Sequence, residues 1–202
     1  MATRTTGAVP LVLVADGLEP ADRIHVVSAD HELGAGMAVR HLLGQGRTRI
    51  AHLSGPDDWF DARARVRGWR AALGDAGAEP GELIAGDWSA ACGAWVGTNL
   101  ARRAREDDRS LPDAIFCSND MMALGLLAAL REAEVDVPGR IDVVGYDDVD
   151  GAAWFSPSLS TVRQPFDDLG RLSVEVLLRA INGEHGGSHS VAPRLVVRGS
   201  SR

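Results

Sequence analysis

Apolar residues run along this chain in two alternating rhythms. Short unbroken runs at 11–15, 24–28, 49–53, 83–85, 114–117, 141–146, 159–162 and 194–198 have the length and composition of strands. Between most of them, apolar residues return every third or fourth position, the spacing that keeps one face of a helix dry. Such stretches cover 32–43 (Met37, Val39, Leu42, Leu43), 61–75, 91–105, 121–134 (Met121, Leu124, Leu127, Leu130) and 166–181 (Leu169, Leu172, Val176, Leu177). Gly44, Gly46 and Gly77 stand where the first two should stop. Residues 106–110 read as a charged loop, and 182–190 (NGEHGGSHS) as a flexible one.

Strand starts near 50, 83, 114 and 141 are spaced close to the roughly 30 residues of one β–α repeat. This predicts an α/β fold with parallel, doubly wound sheets. The clearest unit is 112–149. In it a strand ending at Cys117 is followed by three good helix caps, Ser118, Asn119 and Asp120, then a helix, a Pro138-Gly139 break and a second strand ending at Tyr146. Asn119 and Asp120 follow one strand and Asp147 and Asp148 the other. Ligands bind to sheets of this kind just past the strands' carboxyl ends.

Composition narrows the function classes. A formal net charge of −7 argues against a DNA-binding footprint within these residues. Cys92 and Cys117 are the only cysteines, too few for a disulfide framework and in keeping with a reducing cytoplasm. The apolar run after Arg4 contains Pro10 and leads straight into Asp16, so it reads as a strand rather than a signal peptide. No run approaches the roughly 20 apolar residues of a membrane span. An enzyme reading would use Asp120, Asp147, Asp148 and Asp150 to bind Mg²⁺ for phosphoryl transfer. The sequence has no GxxxxGK[ST] loop, no Asp-x-Asp pair after the first strand and no Gly-x-Ser-x-Gly elbow to support it. His185 and His189 are four apart but lie in a glycine-rich loop, so no metal site and no cofactor is expected.

The wording of 112–149, PDAIFCSNDMMALGLLAALREAEVDVPGRIDVVGYDDV, closely resembles the effector-binding domain of the lactose-repressor (LacI/GalR) family of bacterial transcription regulators. HLLGQGRTRIAHLSGP, ARARVRGW, GDWS, SPSLSTVRQPFDDLG and LVVRGS extend the resemblance, in order, over nearly the whole chain. It implies two Rossmann-like lobes of the type I periplasmic-binding-protein kind, with crossings near Ala29, Val162 and Val191. One lobe would hold 30–162 and 191–202, and the other 1–29 and 163–190. The second lobe would lack its first strands, and no counterpart of the helix-turn-helix headpiece is expected. A sheet edge and apolar surface around 11–15 and 24–27 should therefore be exposed.

The resemblance also implies site residues. Asp147 matches the acid that anchors the effector, Asn119 an amide, Arg65 an arginine fork, and Trp88 an aromatic wall. Phe166 matches a second wall, and Gln164 and Asp16 would contribute polar groups from the incomplete lobe. Each has a simpler reading. Asn119 could be only a helix cap, Asp147-Asp148 only a turn, and Arg65 only one of several solvated arginines with Arg63, Arg67 and Arg70. Trp69 and Trp95 are expected in the core. The function implied is a cytoplasmic, homodimeric effector sensor that binds a small ligand, a sugar being the better fit, and controls operator DNA through a headpiece. A secreted solute receptor of the same architecture is the alternative.

Overall fold

The computed structural model describes residues 9–106 and 111–201, so the expected charged loop lies, past Glu106, outside the described residues. In chain order the elements are β1 (Leu11–Val14), β2 (Ile24–Ala29), α1 (His31–Gly44), β3 (Ile50–Ser54), α2 (Phe60–Asp75), β4 (Leu83–Ala85), α3 (Ala90–Glu106), β5 (Ala114–Cys117), α4 (Asp120–Glu132), β6 (Asp142–Asp147), β7 (Ser160–Arg163), α5 (Phe166–Ile181), β8 (Ser188–Val191) and β9 (Arg194–Val196). They form two compact units. The larger runs from His31 to Gln164 and takes in the chain again from Pro193, while the smaller holds the residues up to Asp30 with Pro165–Ala192.

The larger unit is built on a six-stranded sheet of order β4-β3-β5-β6-β7-β9. All five residues of β3 and all four of β5 are buried, as strands covered on both faces must be. Alternate side chains divide between two cores. Leu53, Ile115, Cys117 and Val143 face Leu100, Met122 and Leu126 of α3 and α4. Ile50, Phe116, Val144 and Tyr146 face Val39, Leu42, Trp69 and Leu73 of α1 and α2. The sheet is parallel from β4 to β7. The last strand departs from the all-parallel expectation, because β9 pairs antiparallel with β7. Strand β9 is the outermost strand, and doubly wound sheets that are otherwise parallel commonly carry an antiparallel strand at that edge.

Helices α3 and α4 touch backbone to backbone. A Cβ on Gly125 would stand 1.8 Å from the carbonyl oxygen of Ala90, so only glycine permits this approach. Small residues on the inner face of α3 also explain one failed expectation. Gly93, Val96, Gly97 and Leu100 fill that face, and Trp95 points away, 66% exposed, rather than into the core. Trp69 is fully buried as expected, its indole N–H donating to the Ile50 carbonyl at 3.2 Å.

The smaller unit has a parallel three-stranded sheet, β1-β2-β8, with α5 on one face. Val27, Ala29, Leu169 and Val176 form its core. Strand β8 occupies 188–191, where a flexible loop was expected. Its residues are polar apart from Val191, but pairing to β2 uses main-chain groups that side-chain composition does not reveal. With β8 in place β2 is a central strand, and Val26 and Val27 are buried. The sheet's edges are β1, where Leu11 and Val14 face solvent, and the largely polar β8. Among the described residues no helix is long and apolar enough to cross a membrane.

The α3–α4 contact gives a test of packing. Gly125→Ala should destabilise the protein by roughly 1–3 kcal/mol in urea unfolding, through overpacking. Gly74→Ala, in the last turn of α2 with nothing within 4 Å of its added Cβ, should be neutral or stabilising by less than about 1 kcal/mol. Equal losses at both positions would rule out the close approach as the cause.

Candidate functional site

Five of the seven candidate residues lie at or near the carboxyl ends of the larger unit's parallel strands, and each is held there by a specific contact. Arg65, on α2, is 3% exposed, which excludes a solvated surface role. Its guanidinium lies over the Tyr146 ring, 3.9 Å from the centroid, and 5.7 Å from that of Trp88. It donates to the Ser118 carbonyl and, at 3.3 Å, to Nδ1 of His31, and the Asp61 carboxylate stands 4.0 Å away. The neighbouring arginines do other things. Arg63 lies over Phe60, Arg67 pairs with Glu32 on the surface, and Arg70 is exposed.

His31 links this arginine to the core. Its Nδ1 faces both Arg65 and, at 3.0 Å, the Tyr146 hydroxyl. Both can donate, which puts the imidazole proton on Nε2, 3.4 Å from Asp61 Oδ2. The cluster of Arg65, His31, Tyr146 and Asp61 is thus a buried polar network in which each ring and charge restrains the next.

Trp88 has a left-handed backbone (φ 72°) and packs its ring where a side chain on residue 55 would be. A Cβ on Gly55 would come within 2.1 Å of that ring, so glycine at 55 is a condition of the wall. The edge of Trp59, itself 54% exposed, meets Trp88 at 72° with centroids 5.8 Å apart. Asn119 serves as the expected cap, with Oδ1 accepting from the Met122 N–H at 2.8 Å. It also does more than cap, donating Nδ2 to the Trp88 carbonyl at 2.9 Å and so fixing the tryptophan's loop. The Nε atom of Arg65 and the indole nitrogen of Trp88 are buried without a hydrogen-bond partner.

Asp147 closes β6 with φ 114° and is half-buried. Burial pushes its carboxyl above the ordinary range, against the pull of the Arg65 charge and of Gln164, while Asp61 pushes it further up. Gln164 donates Nε2 to one carboxylate oxygen at 2.7 Å, so Gln164 belongs to the larger unit and not to the incomplete lobe as expected. The reason is local, since Gln164 continues β7 beside β6 and the chain leaves this unit only at Pro165. The second Asp147 oxygen has no hydrogen bond among the described residues. Phe166 and Asp16 belong to the smaller unit. Phe166 opens α5, 62% exposed, and Asp16 lines a recess of about 190 Å³ with Ser28, Ser190 and His189.

Beneath these residues lie two buried ionisable groups with opposite tendencies. Asp120 accepts from Thr161 Oγ1 at 2.6 Å and from the Val149 N–H at 2.9 Å. Burial pushes its carboxyl up to about 7 against those two hydrogen bonds, with help from the charges of Asp147 and Asp148. His52 stacks on Phe116 and is held down to about 4 by burial, with Nδ1 2.9 Å from the Phe116 carbonyl. The four acids considered for Mg²⁺ are thus mostly engaged, with Asp120 on Thr161 and Val149, Asp147 on Gln164, and Asp148 on two arginines. His185 pairs with Asp22 and His189 stacks on His25. Among the described residues no group of three or more His, Cys, Asp or Glu is arranged to hold a metal.

Residues 39–201 match the model of a periplasmic binding protein-like domain. The chain is 40% identical to the ribose operon repressor of Escherichia coli (strain K12) over 151 residues, covering 74% of this chain and 44% of that protein. It is 34% identical to the HTH-type transcriptional repressor PurR of Photobacterium profundum, covering 84% of this chain and 50% of that one. A structure of the dimeric Lac repressor with an 11-residue C-terminal deletion superposes with a TM-score of 0.83, at 31% identity over 94% of this chain and 68% of that chain. The chain spans about half the length of the curated relatives it matches.

The opposed titrations are testable. Between pH 4 and 7 Asp120 is protonated when folded and ionised when unfolded, so its contribution to stability is present at low pH and lost as pH rises. His52 has the reverse sign, losing stability as pH falls below about 6.5. Asp120→Asn keeps both hydrogen bonds, with its oxygen on the Val149 N–H and its amide on the Thr161 hydroxyl, and removes the first effect. Relative to wild type the variant should gain about 1.4 kcal/mol per pH unit across this window. Urea denaturation at several pH values measures it, and a pH-independent difference would refute the shift.

Proposed function

This chain belongs to the periplasmic binding protein-like family in its LacI-type form, and on that premise we propose that it is the effector-sensing and dimerising domain of a cytoplasmic transcription regulator. The relatives named above are transcriptional repressors, not enzymes. The observation that carries the reading is the buried Arg65 guanidinium between the buried Tyr146 ring and the partly exposed Trp88 ring, beside the half-buried Asp147. A carboxylate with one oxygen held by Gln164 and one available accepts hydrogen bonds from ligand hydroxyls, and the partly exposed Trp88 ring suits the apolar face of a sugar. Asp147, Arg65, Asn119, Trp88 and Gln164 are the proposed ligand residues of the larger unit, and Phe166 and Asp16 those of the smaller. Operator DNA is reached through a headpiece, and the effector acts by differential affinity for two states. The solute-receptor alternative gains nothing from relatives that are repressors.

Trp154, Trp95 and Met121, all in the larger unit, are exposed large apolar side chains of the kind that anchor protein interfaces. The similar Lac repressor structure is of a dimer, which supports a homodimer here with these side chains as interface candidates. Light scattering on the eluting chain should give twice the monomer mass, and Trp154→Ser should weaken association at least about ten-fold. A stable, non-aggregating monomer would sink this part of the reading.

Thermal melts with D-ribose, other pentoses and hexoses, sugar phosphates and purines test the effector. One class should raise the midpoint by about 5 °C at a hundred-fold excess over its Kd. Asp147→Ala should abolish the rise while remaining folded. A transition that no member of the panel moves would refute the small-ligand assignment.

A further inference from the structure

Asp148, beside the proposed anchor, has no part in the reading above. Its side chain is 3% exposed, and its backbone, like that of Asp147, has positive φ (57° after 114°). A non-glycine pair in this region is strained and persists only where its surroundings over-determine it. Two arginines supply the restraint. Arg163, at the end of β7, donates Nε to one oxygen of Asp148. Arg198, just past β9, donates to the other at 2.7 Å and gives its remaining terminal nitrogen to the Leu159 carbonyl at 2.7 Å. Asp120 takes the next amide, Val149. Strand β7 is the one along which the chain leaves this unit, two residues before Pro165, and β9 is the one along which it returns, from Pro193.

We infer that Asp148 is the positioning residue of the Asp147 site, tying the strained turn that carries the anchor to both strands by which the chain leaves and re-enters the unit. Only an ionised acid can do this, because it accepts from two guanidinium groups at once. An amide at this position accepts on one atom only and presents N–H groups to the other arginine. The inference rests on the proposed function in treating Asp147 as the anchor, but its geometry is testable without any ligand.

The experiment is hydrogen exchange on the full chain, with a ¹³C NMR titration of the Asp147 carboxyl, for wild type, Asp148→Asn and Arg198→Lys. In Asp148→Asn the amides of 146–150 should exchange about ten-fold faster or more. The Asp147 titration should fall back toward its ordinary value of about 4, as the released turn lets that carboxyl into water. Arg198→Lys, which keeps the charge, should shift both in the same direction by less, and it serves as the readout if Asp148→Asn fails to fold. Because Asp148→Asn also removes a negative charge next to Asp147, the charge-keeping Arg198→Lys decides: a lowered melting temperature with the Asp147 titration unmoved in that variant marks a purely structural Asp148 and overturns the inference. Both readouts are taken without ligand. A sugar panel that binds nothing therefore removes the proposed function and not this one, while an unmoved titration with intact sugar binding does the reverse.

Discussion

The constraint on which this structure depends is the burial of β3, β5 and β6 on both faces. A strand with helices above and below has no solvent face, so every side chain along it must find a place in one core or the other. Leu53, Ile115 and Val143 go to one side, and Ile50, Phe116 and Val144 to the other. Everything polar that these strands carry is pushed to their ends. His52, the one ionisable side chain left inside β3, is kept neutral on the Phe116 carbonyl and ring. The site exists at the carboxyl ends because that is where the sheet stops excluding polar groups.

The same burial made most of the fold readable from sequence. Strands hidden on both faces appear as unbroken apolar runs, and those at 50, 114 and 141 are visible without any structure. Legibility failed where pairing does not depend on apolar side chains. Strand β8 is polar in three of its four positions, and it joins β2 through the main chain. The antiparallel direction of β9, at the sheet edge, is announced by no residue pattern. Trp95 misled because large size was read as a core preference, whereas α3 needs small residues where it meets α4.

The site was legible to different degrees. Asn119 showed itself as a cap by local pattern, but its second bond, to the Trp88 carbonyl, joins residues 31 apart. Arg65 could be told from its neighbours only by motif, and the structure gives the physical difference, which is a position over Tyr146. The partners that hold it were missed. Asp61 left a faint signal as an acid four residues before Arg65 on the same helix. His31 and Tyr146, 115 residues apart, left none. Asp148 was read only as a turn residue or a metal ligand, because its arginines come from 15 and 50 residues further along.

These long-range partners share one physical origin. A carboxylate or guanidinium taken out of water costs several kcal/mol unless its hydrogen bonds are replaced. The chain places Arg65, Asp120 and Asp148 at 3% exposure or less, so each has to recruit donors or acceptors from whichever elements surround it. Those elements are α1, α2, β6, β7 and the segment after β9, and recruiting them ties the loops to one another. Asp147 is treated differently. It is only half-buried, and it has one firm partner where Asp148 has two. A carboxylate with one uncommitted oxygen beside Asp120 and Asp148, which are held on both oxygens, is the one with hydrogen-bonding capacity to offer a ligand, and its supports are the ones that decide where that capacity points.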